Sequence, residues 1–151
     1  MIALVRDVRT DEPQAVHRTA LTPDGRKMVV QGHDRLAFGP TAGGAVKLTP
    51  NEKVTTCLGI GEGIESTLSL RHIPEYGTSP VWALISAGGV RSFPVLSGIE
   101  CLWLAVDHDD AGRQAAQTCG DRWTGAGLEV LRVTTRLRRT DLNDVVRGAH
   151  G

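Results

Sequence analysis

The sequence predicts an α/β fold, with a mostly parallel four-stranded sheet flanked by helices and a small β-rich extension at the N-terminus. Three observations lead there. After residue 51, apolar runs of strand length alternate with segments of helix length, the pattern of parallel strands joined by crossovers. Two of those runs drive straight into carboxylates, at the end of the strand where an open parallel sheet places its ligands. Before residue 51 the apolar runs are short, alternate in polarity and are separated by turn residues rather than by helix-length segments.

In chain order, residues 2–8, 15–21 and 27–30 are the candidate strands of the extension, and Thr22-Pro23-Asp24-Gly25 is the turn between the last two. Gly39-Pro40-Thr41-Ala42-Gly43-Gly44 is a loop, followed by a strand at 45–48 and a break at Pro50-Asn51. The extension therefore spans 1–50 and the main domain 51–151. In the latter, 55–60, 81–86, 100–106 and 128–134 are strands, while 64–71, 89–96 and 111–123 carry apolar or small residues at helical spacing. Strands covered on both faces read as continuous apolar runs, so Leu58, Ile60, Trp82, Leu102, Trp103 and Leu104 are predicted to be buried.

Composition narrows the function. Seventeen basic and seventeen acidic residues in 151 cancel, so no global field draws the chain to a polyanion, and any nucleic-acid contact is local or metal-mediated. Arg132, Arg136, Arg138 and Arg139 form the one local basic cluster. Cys57, Cys101 and Cys119 are far apart with no CxxC pair, which excludes a zinc knuckle and reads as reduced, buried thiols. No apolar stretch approaches the roughly 20 residues of a membrane span, and the N-terminus turns charged too early for a signal peptide, so a cytoplasmic protein is expected.

The chemistry lies at two strand ends. Cys57-Leu58-Gly59-Ile60-Gly61-Glu62-Gly63 carries an apolar strand into a glycine-flanked carboxylate. The glycines would permit a sharp turn and close approach of a phosphate or metal. Equally, Glu62 or Glu65 in the first turn of a following helix is favoured by the helix dipole, and the motif alone leaves both readings open. In Cys101-Leu102-Trp103-Leu104-Ala105-Val106-Asp107-His108-Asp109-Asp110-Ala111-Gly112, the strand ends in Asp-x-Asp. Side chains alternate in extended structure, so Asp107 and Asp109 face one side together. Two such carboxylates repel unless a cation lies between them, and hard oxygen ligands suit Mg²⁺. Asp110 is the expected N-cap of the next helix, and His108 points away as a structural or solvated residue.

Taken together, Gly61-Glu62-Gly63-Ile64-Glu65-Ser66-Thr67 and Ala105–Gly112, with about forty-five residues from glutamate to Asp-x-Asp, resemble the Toprim domain of bacterial-type primases, topoisomerases and some nucleases. The likeness is closest to phage- and plasmid-type primase or primase-helicase proteins, in which segments similar to His17–Gly25 and Leu36–Pro40 precede the domain. The resemblance implies that Glu62 is a metal ligand or general acid/base and that Asp107 and Asp109 ligate Mg²⁺ (or Mn²⁺). It also relates Thr140-Asp141-Leu142-Asn143-Asp144 to a closing element usually preceded by lysine, which threonine replaces here; a capped C-terminal helix starting at Thr140 reads equally well.

No G-x-x-x-x-G-K-[ST] is present, because Gly39–Gly44 runs into alanine, so the chain carries no helicase motor. The resemblance therefore implies a Mg²⁺-dependent nucleotidyltransferase core that makes RNA primers from nucleotides on single-stranded DNA. Arg136, Arg138 and Arg139 are candidate backbone contacts by their clustering alone, a solvated charged loop being the other reading. A helicase and a zinc-binding primase segment would be partners. A metal-dependent nuclease of the same fold, or a non-catalytic module binding nucleic acid or a partner, are the alternatives.

Overall fold

The computed structural model describes residues 1–134. The elements follow in the order β1 (Ile2–Asp7), β2 (Pro13–Thr19), β3 (Arg35–Phe38), β4 (Gly44–Lys47), β5 (Cys57–Gly61), α1 (Ile64–Ser69), β6 (Val81–Ala83), α2 (Ala87–Ser92), β7 (Cys101–Ala105), α3 (Asp110–Gly125) and β8 (Glu129–Val133). All eight strands join one sheet in the order β3-β2-β1-β4-β6-β5-β7-β8. The expected parallel core is its second half, since β5 pairs in parallel with both β6 and β7, and β7 with β8. The extension contributes the antiparallel half, and β4 joins the two by pairing with β1 on one edge and β6 on the other.

That seam is short but well tied. Val46 and Lys47 pair with Ala83 and Trp82. The Lys47 ammonium is buried, 2.8 Å from Asp11 Oδ1 and 4.5 Å from the centroid of the Trp82 ring. Just beyond β4, Thr49 accepts from the Trp82 indole through its carbonyl at 2.8 Å and from the Val81 amide through its hydroxyl at 3.1 Å.

One expected strand is displaced. Residues 27–30 make only the isolated bridges Leu21–Lys27 and Val30–His33, and the chain reverses through Gln31 and Gly32, both at positive φ (52° and 82°). Met28, Val29 and Val30 are exposed, so this apolar run has no face to bury, and the third strand forms at Arg35–Phe38 instead.

On one face, α2 and α3 cover a core of Leu58, Ile60, Trp82, Leu84, Leu102 and Leu104, in which Trp123 of α3 is fully buried and stacked on Phe93 at 5.9 Å. On the other, Ile64 of α1 packs on Val5, Ala15, Val46 and Ala83, reaching across the seam. Five of the six residues expected in the core are buried there. Trp103 is the exception, only partly buried, because it points to the α1 face where Tyr76, at 5.1 Å, is its aromatic cover. The three thiols are free as expected, but only Cys119 is buried; Cys57 and Cys101, opposite each other in register, stay partly exposed. Among the described residues no helix is long and apolar enough to cross a membrane.

Candidate functional site

The register of β5 and β7 positions the site. Gly61 pairs with Ala105, so Glu62 leaves β5 at the same sheet end, and on the neighbouring strand, as the segment carrying Asp107 and Asp109 leaves β7. The Glu62 backbone is held from the other side by the two residues after β6, where Leu84 donates its amide to the Gly61 carbonyl at 2.8 Å and Ile85 to the Glu62 carbonyl at 2.9 Å. Ile85 has φ 71°, a left-handed conformation that costs a β-branched residue energy and is tolerated where surrounding bonds enforce it.

The glycines around Glu62 act differently from the sequence reading. Neither Gly61 nor Gly63 has a positive φ. A side chain at Gly61 would meet Thr67 Oγ1 at 2.6 Å and Ala105 Cβ at 2.9 Å, so this glycine lets α1 close onto the β5–β7 pair. A Cβ at Gly63 would make only ordinary van der Waals contacts, with Ser66 Oγ at 3.7 Å and Glu65 Oε2 at 3.9 Å, so packing does not demand a glycine there.

Asp109, rather than Asp110, caps α3. Its Oδ1 accepts from the Gly112 amide at 2.6 Å, while Asp110 sits in the first helical turn, paired with Arg113. The chain leaves the extended conformation at Ala105, so Asp109 falls at the first non-helical position, where a short side chain reaches the free amides. The cap occupies one oxygen of Asp109 and leaves Oδ2 outside that bond. Gly112 belongs to the same construction, since a Cβ there would lie 3.1 Å from Asp107 Cβ and from Asp109 Oδ1. His108 lies with its Nε2 3.3 Å from Thr134 Oγ1.

The three carboxylates sense one another. Burial pushes the Glu62 pKa up, and the negative charges of Asp107 and then Asp109 push it further, against a weaker opposing pull from Arg35. Among the described residues no three His, Cys, Asp or Glu side chains are grouped tightly enough to hold an ion by themselves. The donor set fits Mg²⁺, which takes one or two carboxylates and completes its shell with water and substrate phosphate, and does not fit a closed protein cage.

On the other flank of Glu62 lie residues to which the sequence reading gave no role in the site. His17 and Thr19 of β2, Lys27, and Arg35 of β3 line a small enclosed pocket with Glu62, Gly63, Glu65 and Ile85. Lys27 is 3.1 Å from Glu65. His17 is buried with Nδ1 lacking a hydrogen-bond partner, and burial followed by Arg35 holds its pKa down, so it is neutral near pH 7. These positions are far apart in the chain, and only β2 and β3 bring them to Glu62. Arg136, Arg138, Arg139 and Thr140–Asp144 lie outside the described residues.

Residues 57–150 match the family model of the Toprim domain. No curated protein matches the chain. Among solved structures, the primase fragment of the bacteriophage T7 primase-helicase protein is similar over 99% of this chain and 58% of its own, with TM-score 0.64 and 16% identity. A DNA primase domain from Pseudomonas aeruginosa is similar over 97% of this chain and 52% of its own (TM-score 0.56, 16% identity). The Aquifex aeolicus primase, comprising zinc-binding and RNA polymerase domains, is similar over 97% and 36% (TM-score 0.57, 15% identity). The likeness extends to the antiparallel half of the sheet, yet this chain spans less than two thirds of each of those proteins.

Proposed function

The chain belongs to the Toprim domain family, and from that membership we propose that it is the metal-dependent nucleotidyltransferase core of a DNA primase-like protein, joining ribonucleotides on single-stranded DNA. The observation that carries this reading is the convergence of Glu62 with Asp107 and Asp109 at the carboxyl ends of two adjacent parallel strands, with the Glu62 pKa raised by burial and by both aspartates. Asp107 and the uncommitted oxygen of Asp109 are the groups that would hold Mg²⁺ or Mn²⁺. Such an ion, when bound, neutralises triphosphate charge and aligns the reacting oxygens.

Glu62, with its raised pKa, is suited to take the proton from an attacking 3′-hydroxyl, because a base works best when its pKa approaches the working pH. Arg35, whose field already reaches Glu62, offers a cation to phosphate oxygens from the opposite flank. A helicase and a zinc-binding segment, on another chain or outside this stretch of sequence, would complete such a machine. The test is incubation with single-stranded DNA, labelled ribonucleotides and Mg²⁺ or Mn²⁺. Short RNA products that vanish in Glu62→Gln are expected. Cleavage of the DNA would replace the reading with a nuclease, and neither product would leave a non-catalytic module.

A further inference from the structure

Among the described residues, nine of the ten large apolar side chains left exposed fall within the first 38 positions. Four of them share one face of the N-terminal strands. Ile2 pairs with Arg18 and Leu4 with Val16 across β1 and β2, while Val16 pairs with Phe38 and Arg18 with Leu36 across β2 and β3. Directly paired residues point to the same side of a sheet. Ile2, Leu4, Val16, Leu36 and Phe38 therefore form one apolar surface around Arg18, with Ile2 76% and Phe38 62% exposed. A contiguous apolar surface of this kind marks an interaction site more often than scattered single residues do.

Its side of the sheet is informative. Arg6, two residues beyond Leu4, pairs with Ala45, and Ala45 belongs to the core beneath α2 and α3. The bare surface is thus the continuation of the face those helices cover, and their layer stops before the three N-terminal strands. At its centre the Arg18 guanidinium lies 5.9 Å from the Phe38 ring centroid. Among the described residues Arg18 enters no ion pair, whereas Arg6, Arg26 and Arg35 each have a carboxylate.

We propose that this face docks an amphipathic helix of a partner protein, laid across β1, β2 and β3 as an extension of the α2–α3 layer, with a carboxylate on its flank meeting Arg18. The charge argument selects an acidic partner, and the aliphatic character selects protein over nucleic acid. A single-strand platform stacks successive bases on several aromatic rings, and here Phe38 is the one aromatic residue on the face.

The test uses the full chain and a labelled synthetic helix of roughly five turns, with a leucine stripe flanked by glutamates, against the same peptide flanked by lysines. Fluorescence anisotropy should show saturable binding of the glutamate peptide, at least about tenfold weaker binding of the lysine peptide, and reversal of that preference in Arg18→Glu. Phe38→Ser should weaken both, and because the two positions face solvent, both variants should melt as the wild type does. Equal binding of the two peptides, or binding unaffected by either substitution, overturns the proposal. So does a wild-type dimer that becomes monomeric in Phe38→Ser, which would assign the face to a second copy of the chain. Loss of binding to labelled oligothymidylate in Phe38→Ser would assign it to single-stranded DNA and likewise overturn it.

Discussion

Under the proposed function Asp109 carries two tasks, helix cap and metal ligand, that substitution can separate. In the metal-free protein its Oδ1 caps α3 through the Gly112 amide at 2.6 Å. Asp109→Ala removes that bond at a cost of about 1 kcal/mol, which for a chain of this length lowers the melting temperature by roughly 2–4 °C. Asp109→Asn keeps an oxygen in place for the amide and removes one of the charges acting on Glu62, so its metal-free stability should match or slightly exceed the wild type. Asp110→Ala, which loses only an exposed ion pair with Arg113, should change little. With Mg²⁺ the ranking changes. A site with a dissociation constant of about 1 mM gains roughly 1.4 kcal/mol at 10 mM ion, and this increment should appear in the wild type and in Asp110→Ala but be largely absent from both Asp109 variants. Thermal melts of the four proteins with and without Mg²⁺ measure all of it. If Asp109→Asn is as unstable as Asp109→Ala in the absence of metal, or if both keep the full Mg²⁺ increment, the double assignment of Asp109 is wrong.

Glu62→Gln should abolish activity while keeping part of the Mg²⁺ response, and it should also change the pH dependence of metal-free stability. Because the folded-state pKa of Glu62 is raised, the native state binds more protons than the unfolded one above the ordinary glutamate value of 4.5, so wild-type stability falls as pH rises through that window; urea midpoints against pH should show a weaker fall in Glu62→Gln. Gly59→Ala places a methyl 2.4 Å from the Tyr76 hydroxyl and 2.8 Å from Leu70 Cδ1, a clash in a buried cluster that should cost about 1–3 kcal/mol, whereas Gly125→Ala, with nothing within 4 Å, should not destabilise. Burial pushes the Cys101 thiol up to about 12 and the Cys119 thiol up to about 11, so iodoacetamide at pH 8 should label both far more slowly than a free cysteine. Neutralising Arg136, Arg138 and Arg139 together should lower the salt dependence of single-strand binding by about 0.7 per lost phosphate contact, read from binding isotherms at several salt concentrations.

The parallel half and its carboxylates were legible in the sequence because their signals are local. Cys101–Ala105 is an apolar run that stops at Asp107, and a parallel sheet has one functional end, so Glu62 and Asp107 had to share it. Local signals misled where two explanations fit the same residues. Asp109 and Asp110 are both good caps, and which one takes the position depends on where the strand ends. Residues 27–30 are as apolar as a strand, but burial depends on what lies opposite, and no layer covers Met28, Val29 and Val30. The His17, Lys27 and Arg35 flank was hidden for a related reason, since its members come from separate elements and meet only when β2 and β3 fold beside β5.

The stretch that matches the family begins at residue 57, and a natural design for a smaller protein would cut at Pro50-Asn51. The β4–β6 seam argues against that economy. Without Val46, Lys47 and Thr49, β6 becomes a bare edge strand whose Trp82 loses both the ammonium over its ring and the carbonyl bonded to its indole. Unpaired, apolar edges of that kind invite strands of other molecules. The unit that the family model recognises and the unit whose β6 edge is covered are thus two different lengths of the same chain, and the strands before residue 57 make up the difference.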